Sequence, residues 1–174
     1  DNFGNPSSID HEYGKHAHDA VEACRSDVAH LINADQREII FTSGATEANN
    51  LAIIGSYQFN PKNNFGTIIT SMNEHKSVIE PIKTLEKEGL KILFLSSKRN
   101  GLMDLKDLEK NIDEETSMVS LMHINNETGV CNDIESIGEI CKKNDVIFHV
   151  DAAQSIGKVP IDVKRLKVDL MSLA

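Results

Sequence analysis

Apolar positions along the chain change period repeatedly. "AVEACRSDVAHLI" sets Val21, Cys24, Val28 and Leu31 at the three-to-four spacing of a helix, and "EIIFTS" follows as a short β-branched strand. "EANNLAIIGSYQ" returns to helical period through Leu51, Ile54 and Tyr57, and "GTIITS" is a strand. "SVIEPIKTLEKEG" predicts a helix closed by Gly89, with Pro81 expected near its first turn, where proline costs no hydrogen bond. Then come strand "LKILFL", a helix in "DLKDLEKNI" opened by Asp104, strand "SMVSLMHI", helix "DIESIGEICKKN", strand "VIFHV", and a last strand starting in "VDLMSL". Strands that are nearly all apolar and alternate with helices imply a mostly parallel sheet covered on both faces. The pattern predicts an α/β, doubly wound fold. In such sheets ligands sit beyond the carboxyl ends of the strands.

Composition changes this picture little. The chain has 174 residues and 40% hydrophobic content, enough for one domain or a large piece of one. Its opening, "DNFGNPSS", lacks Met and starts in mid-motif, so an earlier segment is expected to be missing, and any targeting signal with it. The net charge of −9 argues against direct nucleic-acid binding, and no apolar run approaches the ~20 residues of a membrane span. Cys24, Cys131 and Cys141 have no metal-ligand spacing. At least two of them are expected to be small buried hydrophobes, and no metal site is expected.

Four strand ends carry polar chemistry. In "FTSGATEANN", Gly44 permits a tight turn before a helix beginning near Thr46; backbone N–H groups, the Thr46 hydroxyl and the helix dipole can form an anion site, or an ordinary N-cap. In "TSMNEHKSV", His75 stands at a helix start, where a neutral ring can stack or move protons. In "LMHINNETG", Asn125 and Asn126 either build a turn or point an amide into a cleft. In "VIFHVDAAQS", Asp151 ends a buried strand, with Gln154 three residues on. A carboxylate there needs a positive or protonated partner. A magnesium ion would call for a P-loop, and a ribose hydroxyl for a glycine-rich fingerprint; neither motif is present. A protonated heterocycle nitrogen remains.

Five stretches in order, "FGNPSSIDHEYG", "TSGATEANN", "NEHKSV", "MHINNETG" and "HVDAAQSIGKVPIDV", resemble the cysteine desulfurases of the NifS/IscS type. These are enzymes of the class V aminotransferase fold that use pyridoxal 5′-phosphate. The resemblance implies the large domain of a fold type I transferase across residues 1–174, incomplete. It implies that Asp151 pairs with the pyridinium nitrogen and that His75 stacks on the ring and handles protons. Asn126 would reach the ring hydroxyl oxygen and lie near the substrate carboxylate, Gln154 would contact the same oxygen, and Ala45 and Thr46 would hold the phosphate. The implied activity converts L-cysteine to L-alanine. Sulfur passes to an enzyme persulfide, then to an iron–sulfur scaffold or a tRNA-thiolation acceptor. A homodimer and a cytoplasmic location are expected, with an organellar one left open by the missing start.

The family's Schiff-base lysine is expected just past a strand like "VDLMSLA", and the sulfur-accepting cysteine far beyond it. Lys158, Lys164 and Lys167, like the three cysteines, match neither. The 174 residues by themselves are therefore expected to be inactive. The alternatives are another pyridoxal-phosphate enzyme of this fold, such as a selenocysteine lyase or an aminotransferase, and a non-catalytic scaffold form without the lysine.

Overall fold

The structure, a computed structural model, describes residues 3–59 and 66–174. Asp1 and Asn2 of the opening stretch lie outside the described residues. The chain divides into two compact units, one ending at Phe41 and the other running from Thr42 to Ala174.

In the first unit, α1 (Glu12–Ile32) is one long helix. His11 caps its start by accepting from the Gly14 N–H, and Asn33 closes it in the left-handed conformation at φ 57°. Its buried positions are Gly14, Ala17, Ala29 and Ile32 rather than the expected stripe, and both Leu31 and Cys24 are exposed. The stripe was drawn by hydropathy alone. The helix instead turns its small residues inward, and Gly14 lies so close to the Ser8 carbonyl that a Cβ would sit 1.7 Å from its oxygen.

The strand expected in "EIIFTS" does not form. A 3-10 turn (Gln36–Glu38) is held by a reciprocal Asp35–Glu38 capping box, and Ile39 is extended but pairs with no strand among the described residues. β-branched residues make a chain extended; only a neighbouring edge makes it a strand. Arg25 lies over the Phe41 ring, 4.9 Å from its centroid, and donates to the Ile39 carbonyl.

The second unit carries the sheet: β1 (Thr67–Ser71), β2 (Ile92–Leu95), β3 (Thr116–Met122), β4 (Ile147–Asp151) and β5 (Leu170–Ser172). All pairings are parallel, in the order β2-β1-β3-β4-β5. The intervening helices are α2 (Ala45–Gln58), α3 (Lys76–Lys87), α4 (Leu105–Asn111) and α5 (Ile134–Lys143). α2 and α3 bring Ile53, Val78, Ile82 and Leu85 onto Ile68 and Met118 of the sheet. α5 buries Ile134, Ile137 and Cys141, and packs on β4 and α4. This is the α/β architecture that the alternating pattern predicts.

Three local expectations are corrected. α2 buries Asn49 and Ile53, while Leu51 is half exposed; the inward face is set by what lies beneath it. Pro81 sits in the second turn of α3, not the first; it gives up the bond to the Ser77 carbonyl and is buried. Of the cysteines only Cys141 is buried, its thiol pushed up to about 12, chiefly by burial; Cys24 and Cys131 are exposed. Asp104 caps α4 through the Lys106 N–H, and Gly89 follows α3 at φ 99°, both as expected. No helix among the described residues is long and apolar enough to cross a membrane.

Candidate active site

The sheet order fixes where a ligand can sit. From β1 the chain steps outward to β2, then returns to place β3 on β1's other side. The crossovers diverge there, which opens a crevice beyond the ends of β1 and β3. His75 follows β1, Asn126 follows β3, and Asp151 ends β4 in register with Met122. The turn from Gly44 into α2 completes the ring. Ala45, Thr46, His75, Asn126, Asp151 and Gln154 all line one cavity of about 150 Å³, so every sequence-predicted site residue faces the same space. A larger cavity of about 590 Å³ adjoins it and shares His75, Met122 and Asn126.

Each side chain is held by a traceable cause. Gly44 takes φ 152° and ψ 179°, a conformation costly for any residue with a Cβ, and it gives α2 no side-chain cap. The first-turn N–H groups of α2 therefore face the cavity end without a capping side chain. His75 is itself the N-cap of α3: its Nδ1 accepts from the Ser77 N–H at 3.1 Å and lies 2.8 Å from Ser77 Oγ.

The two asparagines divide the roles between which the sequence could not choose. Asn125 builds the turn, its Oδ1 accepting from the N–H groups of Glu127 and Thr128 and from the Thr128 hydroxyl. Asn126 lines both cavities. Gln154 lines the smaller one and accepts from Lys158 Nζ at 2.8 Å.

Asp151 is 7% exposed, yet no cation pairs with it among the described residues. Two neutral donors hold it instead. Asn49 Nδ2 reaches Oδ2 at 2.9 Å, and the Ala153 N–H reaches Oδ1 at 3.0 Å. No cation among the described residues balances its charge, and Asp151 lines the cavity. The donor set therefore suits a ligand with a protonated ring nitrogen at one end and an anion at the other, near Thr46 and the start of α2. Among the described residues no group of three His, Cys, Asp or Glu could hold a metal ion.

Four further residues belong to this neighbourhood and were not singled out in the sequence. Asn49 and Ser77 link the inner side of Asp151 to His75. Glu74 is buried and lines the larger cavity; its Oε1 accepts from the Met122 N–H at 2.9 Å, and its Oε2 has no partner among the described residues. Burial, with Asp151's charge adding to it against the Met122 bond, pushes this carboxyl up to about 8. His149, two residues before Asp151, is fully buried between Ser120 Oγ and Ser172 Oγ at 2.8 and 3.1 Å. Burial pushes it down to about 4, with Asp151's charge opposing. Of these four only His149 carried a sequence signal, a polar residue inside an apolar run; Asn49, Glu74 and Ser77 have polar neighbours, as solvated positions do.

Comparison with known proteins gives the family and the fold. The aminotransferase class-V family model matches residues 1–174. The cysteine desulfurase IscS of Enterobacter sp. (strain 638) is 53% identical over 171 residues, covering 98% of this chain and 42% of that protein. The IscS of Photobacterium profundum is 53% identical over 172 residues, 99% of this chain and 42% of that one. The chain thus spans well under half the length of these relatives. Among solved structures, SspA in complex with cysteine superposes with a TM-score of 0.94 at 38% identity, over 99% of this chain and 49% of that one. A NifS-like protein superposes equally well, with a TM-score of 0.94 at 38% identity, over 100% of this chain and 48% of that one.

Proposed function

The chain belongs to the aminotransferase class-V family, and from that premise we propose that the protein is a cysteine desulfurase. It would use pyridoxal 5′-phosphate to take sulfur from L-cysteine, leaving L-alanine. The observation that carries the proposal is the carboxylate of Asp151, buried and without a cation, on a cavity it shares with Thr46 and His75.

When bound, the cofactor supplies an electron sink for carbanion chemistry at the amino-acid α-carbon. The residues of this chain would hold and orient it. Asp151 holds a proton on the ring nitrogen, and its two neutral donors keep it aimed without neutralising it. Thr46 and the uncapped start of α2 hold the phosphate. Gln154 and Asn126 would offer amide groups to the ring hydroxyl oxygen, and Asn126, which also lines the larger cavity, would meet the substrate carboxylate. His75 forms the cavity wall beside the ring.

The sulfur-accepting cysteine, the Schiff-base lysine and the acceptor, an iron–sulfur scaffold or a tRNA-thiolation protein, belong to the same proposal, as does a homodimer. The strong likeness to proteins named cysteine desulfurase supports it. In the full-length protein we expect a pyridoxal-phosphate absorption band, and Asp151→Ala should weaken or abolish it together with alanine release from cysteine. An unchanged band and unchanged turnover in that variant would refute the role given to Asp151.

A further inference from the structure

Asp151 and His75 line one cavity, and a chain of hydrogen bonds joins them. Asn49, fully buried, sends Nδ2 to Asp151 Oδ2 at 2.9 Å and to Ser77 Oγ at 2.8 Å. Ser77 Oγ in turn lies 2.8 Å from His75 Nδ1, which also accepts the Ser77 backbone N–H at 3.1 Å.

The direction of every bond in this chain follows from its acceptor end. A carboxylate can only accept, so the amide must present its NH₂ to Asp151. The opposite orientation would set two oxygens against each other. The amide pays for this choice with an orphan: Asn49 Oδ1 is buried and has no partner. A buried unpaired oxygen is uncommon in a native structure and calls for a reason. The second amide hydrogen then occupies a lone pair on Ser77 Oγ, and the hydroxyl hydrogen is free to point at His75 Nδ1. That nitrogen therefore faces two donors, one hydroxyl and one backbone N–H, and must carry its lone pair there. The neutral ring is left with its proton on Nε2.

We infer that Asn49 and Ser77 are positioning residues that tie the carboxylate of Asp151 to His75, turning the Ser77 hydroxyl into a second donor that, with the Ser77 backbone N–H, holds the imidazole as an Nε2–H donor. Asp151 therefore governs more than the ring nitrogen it faces. Through two neutral side chains it also reinforces the tautomer that the Ser77 backbone N–H selects at His75. The consequence for the cofactor rests on the function proposed above; the bridge itself does not.

The test uses the full-length protein labelled with nitrogen-15 in histidine. The imidazole nitrogen shifts of His75, assigned by comparison with His75→Gln, should show Nε2 protonated and Nδ1 bare, in the apoprotein and the holoenzyme alike. A proton on Nδ1 overturns the bridge. For coupling, the dissociation constant of pyridoxal phosphate is measured by absorbance. Asn49→Ala should raise it about tenfold or more, by loss of a hydrogen bond to a charged group. Ser77→Ala should raise it several-fold, and should add nothing when placed on Asn49→Ala, because the chain is already cut. Losses that multiply independently refute the coupling. Should Asn49→Ala fail to fold, Ser77→Ala decides: a several-fold rise in the dissociation constant supports the coupling, and an unchanged constant refutes it. A protein that never takes up pyridoxal phosphate sinks the cofactor reading alone, because the tautomer is measured without it.

Discussion

Replacing Glu74 with glutamine should remove a pH-dependent weakness built into the site. Glu74 is 8% exposed, and one of its oxygens has no hydrogen-bond partner. In the fold its carboxyl keeps a proton up to about pH 8; in the unfolded chain it loses it near the ordinary 4.5. Between those values the native state binds more protons than the unfolded state, so stability falls as pH rises. Each pH unit costs about 1.4 kcal/mol, so the full interval is worth ~5 kcal/mol and the part between pH 5 and 7 ~3 kcal/mol. Glu74→Gln mimics the protonated acid: it keeps an oxygen for the Met122 N–H and cannot ionise. The assay is denaturant unfolding of the full-length apoprotein and the variant from pH 5 to 8. The two should agree near pH 5, with the variant increasingly more stable toward pH 8. Parallel curves would show that Glu74 ionises normally, and the account of its burial would be wrong.

His149 should act with the opposite sign. Its native pKa is pushed down to about 4 against an ordinary 6.5, so its contribution is intact above 6.5 and is lost as pH falls toward 4. About 3 kcal/mol of acid sensitivity should vanish in His149→Gln, read as a flatter unfolding curve from pH 6.5 to 4; an unchanged slope contradicts this. Gly44→Ala meets no atom within 4 Å of the added Cβ, so its cost is backbone strain alone, about 1–3 kcal/mol by denaturant unfolding. A neutral result would mean that the turn into α2 does not need its φ of 152°. Asn125→Ala removes an acceptor of three hydrogen bonds and should cost about 1–2 kcal/mol. Limited proteolysis should then cut the loop after β3 faster; equal cutting rates would deny the turn its dependence on that side chain.

The alternation of apolar strands with periodic helices determined the sheet, and polar residues at strand ends marked the candidate site. Thr46, His75, Asn126, Asp151 and Gln154 were legible as polar groups near the ends of apolar runs, whereas Ala45 came only with the family resemblance; the structure sets all six on one cavity. The sequence could not show which face of α2 turns inward. Asn49 and Leu51 lie two residues apart on one helix, and hydropathy favours burying the leucine; the structure buries the asparagine, because Asp151 lies beneath it, 102 residues away in sequence. The strand expected in "EIIFTS" fails for a related reason: a strand is a property of two segments, and one segment's propensity cannot supply the other. Glu74 and His149 take their shifted protonation from burial and from a charge on another element. Local pattern thus fixed what each segment is, whereas partnership between distant segments decided which polar groups lost their water and what they had to bind in its place.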